Sequence, residues 1–151
     1  MVLVNPFDVK SLLLEKHAQH VVLIHFPIAL FLTGVALDFA AHWTKHQNLA
    51  GAAYINLLLA AVASIPTAAT GLIAWQWALE GHRLHGILLL HLIFGLTSVG
   101  LICAVFWIHY RAQRIRNATP LPRYRFPLEV AGVIVITITG HLGGFLTGVN
   151  A

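Results

Sequence analysis

The sequence predicts an all-α membrane protein: an up-down bundle of four transmembrane helices behind a short N-terminal interfacial helix. Three observations lead there. Of 151 residues, 58% are hydrophobic and 9% charged, with a mean hydropathy of +0.80, outside the range of ordinary soluble domains. The apolar residues gather into four stretches, about 20–43, 51–78, 84–110 and 127–148, each able to form the roughly 20-residue helix that crosses about 30 Å of hydrocarbon. The only cysteine is Cys103, which excludes an intrachain disulfide and any thiolate cluster, so metal chemistry would fall to histidine. The chain divides into an N-terminal interfacial segment, 1–17, and a four-helix transmembrane domain, 18–151, with no room for a soluble catalytic domain.

Taking the elements in order, Asn5-Pro6 followed by FDVKSLLLEK reads as a capped, amphipathic helix lying at the interface. The apolar run that follows is longer than a signal peptide's core, so this segment reads as retained. The first span opens with HVVLIHFPIAL. A helix starting at Pro27 would leave about 17 residues before Trp43, barely a span, so a helix from about residue 19, kinked at Pro27, is expected. In the second span Pro66 predicts another bend, with Thr67 and Thr70 near enough to satisfy the carbonyls it frees, and Trp75 and Trp77 suit the far interface or the wall of a cofactor pocket. The third span starts near His85 and His91, and the fourth ends with GHLGGFL.

Four spans place both termini and the 79–83 loop on one side. The other side carries Lys45, Arg111, Arg114, Arg116, Arg123 and Arg125, against Lys10, Lys16 and Arg83 on the first. The positive-inside rule then puts both termini outside, which in a bacterial inner membrane is the periplasm. The pI near 9.7 comes from one short juxtamembrane loop, where topology and anionic lipid account for it, and no nucleic-acid partner is expected.

Ten histidines are many for such a chain, and their depth is the informative part. His20 and His25 fall in the first turns of helix 1, His85 and His91 in the first turns of helix 3, and His141 about two turns before the end of helix 4, all in the outer leaflet. At 1.5 Å per residue His25, His91 and His141 each lie on the order of 10 Å below the surface. Histidines that merely bond neighbouring helices would scatter over both leaflets. A shared ligand explains the clustering better, whereas His17, His42, His46, His82 and His109 read as interfacial.

Imidazole suits iron, copper and zinc, and a haem needs only one or two imidazoles in an apolar slot. A carboxylate-bridged di-iron site needs inward Glu-x-x-His pairs, which the acids Asp8, Glu15, Asp38, Glu80 and Glu129 do not supply. Gly95 one turn inward of His91, and Gly140, Gly143 and Gly144 around His141, offer gaps that a porphyrin edge requires and a bare ion does not, although small residues also serve helix packing. Helices 1 and 3 of an up-down bundle are parallel and diagonal, so His25 and His91 match best as axial ligands. A second pair drawn from His20, His85 and His141 is available for another haem, for propionates or for a quinone, and Arg83 is placed to meet a propionate.

HVVLIHFPIAL, TAATGLIAW and GHLGGFLTGV resemble the DUF2231 family of small four-helix bacterial membrane proteins. The likeness runs from His20 over most of the chain. It implies His20, His25, Pro27, Gly71, Trp75, His91, Gly143 and Gly144 as the family positions, with His91 chosen over His85 as the helix 3 histidine. Val21 stands where the family has a first proline, and the tail ends Thr147-Gly148-Val149-Asn150-Ala151 where relatives continue with Tyr-Arg-His-Gly. The resemblance also implies a membrane domain of the kind sometimes joined to Rieske-type or cytochrome modules.

The expected function is a b-type haem membrane subunit carrying electrons between quinol, or another membrane redox subunit, and an external acceptor such as a c-type cytochrome. It reads as an electron-transfer or accessory subunit more readily than as a stand-alone enzyme, and no catalytic set for hydrolysis or group transfer is present. Two alternatives stand: a cofactor-free structural subunit of a redox complex, and a copper-binding membrane protein.

Overall fold

A computed structural model describes residues 16–78, 83–114 and 121–146. It forms four helices in series: α1 (Lys16–Thr44), α2 (Gln47–Ala78), α3 (Gly86–Arg114) and α4 (Arg125–Leu146). Each is long and apolar enough to cross a membrane, so the chain is a multi-pass membrane bundle, as its composition predicted. Residues 1–15 of the expected interfacial segment, His82 and the tail after Leu146 lie outside the described residues, while Lys16 and His17 belong to α1.

The helices pack in a ring. α1 lies mainly on α2 and α3 on α4, α2 joins the two hairpins through α3, and a thinner α1–α4 contact closes the circle, leaving α1 and α3 diagonal. We call the end where α1 and α3 begin the terminal end, and the opposite one the hairpin end. Large apolar side chains face outward on every helix, Phe26, Ile55, Ile93 and Ile134 among them, as a lipid-facing surface demands.

The core at mid-depth consists of Phe31, Val35, Leu57, Ala60, Ala61, Ile102, Val105 and Ile136. Lipid is as apolar as these side chains, so their attraction comes from close packing, for which small residues make room. Phe31 shows how. A Cβ on Gly132 would sit 2.6 Å from Phe31 Cζ, so the ring of α1 lies directly on the α4 backbone.

Local chemistry sets the helix boundaries. α2 begins four residues earlier than expected, at Gln47, because the α1–α2 turn needs only Lys45 and His46. Lys45 takes φ 60° and its N–H bonds the Ala41 carbonyl at 2.9 Å, the single left-handed residue that ends many helices. α1 runs unbroken through Pro27, which is buried. Proline has no N–H for the carbonyl four residues back, and Thr67 Oγ1 on α2 lies 3.3 Å from that Leu23 oxygen, sharing its hydroxyl with Ala63 O at 2.9 Å. Thr67 and Thr70 were expected to serve Pro66. Instead Thr70 bonds the Pro66 and Thr67 carbonyls, and neither threonine bonds the Val62 carbonyl that Pro66 frees.

Candidate functional site

At the terminal end two histidines meet across the bundle. The His20 and His91 ring centroids are 6.5 Å apart with planes crossed at 84°. Each ring is half-buried and held by the adjacent helix of its own hairpin. His20 Nδ1 lies 3.1 Å from the Thr67 carbonyl and 3.3 Å from Thr70 Oγ1; His91 Nδ1 lies 3.2 Å from the Thr139 carbonyl. A carbonyl only accepts, so both Nδ1 atoms carry the proton, and in the neutral ring Nε2 bears the lone pair.

The two attachments share one design. Four residues after each accepting threonine comes a glycine, Gly71 after Thr67 and Gly143 after Thr139. A Cβ on Gly71 would stand 2.9 Å from His20 Cε1, and one on Gly143 3.2 Å from His91 Cε1. Thr-x-x-x-Gly thus supplies an accepting carbonyl and, one turn on, the gap through which an imidazole reaches it. We expect Gly71→Ala to push His20 off the Thr67 carbonyl. Loss of that bond should move the His20 Nδ1 resonance in nitrogen NMR, leave His91 unchanged, and cost about 1 kcal/mol.

The other histidines named from the sequence lie apart from this pair. The pairing expected there, His25 with His91, is not the one the structure forms. His25 is exposed and its Nδ1 donates to its own helix at Val21 O, 2.8 Å away. The reason is angular: five residues turn a helix by about 140°, and the buried face of α1 carries His20. His85 is exposed just before α3, and His141 is exposed with its ring 4.9 Å from Phe145. Arg83 is exposed outside the helices. Gly95 lies near Thr139, whose Cγ2 is 3.9 Å from a Cβ placed there, and Gly144 is half-buried in the last turn of α4.

The hairpin end holds a second polar centre that the sequence reading passed over. His109, expected at an interface, is 3% exposed, and its Nε2 lies 3.1 Å from Oε1 of the fully buried Glu129. Asp38, 2% exposed, accepts from Arg125 Nε at 2.7 Å. Arg125 also donates through Nη1 to the Leu121 and Pro122 carbonyls, and its guanidinium lies 4.0 Å from the Phe126 ring centre. These four side chains tie α1, α3 and α4 together.

A signal for both centres was available. Asp38 and Glu129 are the only acids within the predicted spans, and an ionisable group inside a membrane faces the bundle interior. Asp38 therefore marks the inner face of α1, and His20, 18 residues earlier, lies five whole turns away on the same face. His91 and His109 are also 18 residues apart. The buried residues select His20 and His91, where depth alone could not.

Two anchored imidazoles can bind a metal. Ligating histidines commonly donate their other ring nitrogen to a carbonyl, which fixes tautomer and ring orientation. An ion about 2.0–2.1 Å from two nitrogens that both aim at it sets the ring centres roughly 6 Å apart, and these centres are 6.5 Å apart. No carboxylate stands near them among the described residues.

A family described as "Predicted membrane protein (DUF2231)" matches residues 16–149, and the chain belongs to it. No curated protein and no solved structure matches the chain.

Proposed function

We propose that this DUF2231 member is an electron-transfer subunit of a bacterial inner-membrane redox complex, holding haem b between His20 and His91. The observation that carries the reading is the facing pair of imidazoles on diagonal helices, each oriented by a threonine carbonyl. When bound, haem supplies one-electron chemistry. The protein would contribute two nitrogens and the Thr67 and Thr139 carbonyls, which make each imidazole a stronger donor. The partners that suit this role are quinol or another membrane subunit on one side and a c-type cytochrome or Rieske-type protein on the other. Arg125 is committed to Asp38, yet Lys45, Arg111, Arg114, Arg116 and Arg123 still outnumber the basic residues of the opposite side, supporting a periplasmic terminal end.

The test is the visible spectrum of protein purified from cells supplied with haem precursor. We expect a reduced b-type spectrum that His20→Ala and His91→Ala abolish and His25→Ala keeps. A folded protein without colour or metal overturns the reading in favour of a structural subunit. Copper without iron replaces haem by copper on the same two nitrogens.

A further inference from the structure

The charged centre at the hairpin end plays no part in that reading. It lies roughly 6–9 Å from the nearby helix ends, counted at 1.5 Å per residue from Thr44, Arg114 and Arg125. Asp38, His109 and Glu129 are all buried and each offers one ligand atom, with these atoms within 4.8 Å of one another. They come from three different helices, α1, α3 and α4, so their convergence is a property of the fold and not of one helical face.

Two further observations point to a cation. Glu129 is fully buried, and its Oε2 has no hydrogen-bond partner among the described residues, although Oε1 has His109. A buried carboxylate oxygen left unsatisfied is costly, and such atoms are rare unless something else supplies the missing interaction. Among the described residues two carboxylates face one guanidinium, so with both acids ionised and the imidazole neutral one negative charge is left for a cation to compensate inside a membrane domain.

We propose that Asp38, His109 and Glu129 form a binding site for a divalent first-row transition ion, with Arg125 as the residue that positions Asp38. One imidazole and two carboxylates suit Mn²⁺, Fe²⁺ or Zn²⁺, and three protein ligands leave room for water or a small anion. Arg125 Nε holds Asp38 through Oδ2, in keeping with the hydrogen bonds that orient ligating carboxylates. A cavity of about 600 Å³ at the hairpin end reaches Asp38 and Arg125, lined also by His42, Lys45, His46 and Arg123, while His109 and Glu129 lie beyond its lining. Lys45 and Arg123, both exposed, oppose a free dication, so loading is slow at low ionic strength and quickens as salt screens them.

The experiment uses the full chain in detergent, stripped with chelator and loaded with Zn²⁺ alone. X-ray absorption at the zinc edge should show one imidazole with oxygen ligands at one equivalent of metal. His20→Ala/His91→Ala should keep this site, and Glu129→Gln should weaken binding at least tenfold, with helical circular dichroism retained. Absence of bound zinc at micromolar concentration, a spectrum with two or more imidazoles or with none, or unchanged affinity in folded Glu129→Gln each overturns the proposal. If Glu129→Gln does not fold, the imidazole count on the unaltered chain and on His20→Ala/His91→Ala decides.

Discussion

Arg125→Ala is expected to destabilise the bundle by about 3–5 kcal/mol, the loss that follows removal of one partner from a buried ion pair. The Arg125 and Asp38 side chains are 5% and 2% exposed, so truncating the guanidinium leaves a largely buried aspartate without its partner and frees the Leu121 and Pro122 carbonyls as well. Unfolding in mixed micelles, followed by circular dichroism, measures the loss. The matching control is Asp38→Leu with Arg125→Leu, which removes both charges and should recover most of the stability, because a paired charge buried in apolar surroundings gains little over a well-packed apolar pair. A single variant within about 0.5 kcal/mol of the parent, the range of ordinary surface changes, would show that this pair is hydrated and contributes little.

Gly132→Val is expected to have the second large effect. Even a methyl at this position falls 2.6 Å from Phe31 Cζ and 2.8 Å from Cε1, and Phe31 is fully buried, so the ring has no free direction in which to retreat. Overpacking of this kind costs about 1–3 kcal/mol or more, and here it acts on the thinner seam between α1 and α4. Phe31→Leu should relieve part of the clash. In a double-mutant cycle the pair should therefore show a favourable coupling of roughly 0.5–3 kcal/mol, whereas strict additivity would mean that α1 and α4 do not meet here.

The fold was largely legible in the sequence because hydrocarbon is an undemanding solvent to read: run length and hydropathy fix the spans, and four spans joined by short loops fix an up-down bundle. The boundaries near Thr44 and Gln47 were less visible, since a left-handed lysine ends α1 where no glycine announces a turn. The candidate site was legible in depth but not in azimuth. His20, His25, His85, His91 and His141 all lie toward one end, yet only His20 and His91 face inward, and choosing them needs the inner face of each helix. Asp38 and His109 mark that face, each 18 residues from its histidine. The hairpin-end centre was hidden for another reason. Its four members are scattered over three helices, and Arg125 reads as one more loop arginine until the α1–α4 contact brings it to Asp38.

That long-range pair also bears on how the molecule is made. Asp38 and Arg125 are 87 residues apart in the chain, which at roughly 5–20 residues per second means about 4–17 s between the synthesis of one and of the other. During that interval the first hairpin has emerged from the ribosome with an acid for which no counter-charge yet exists. Until the fourth segment appears, lateral release of α1 and α2 into bulk lipid carries the cost of an acid without its arginine, a cost that the arrival of Arg125 lifts.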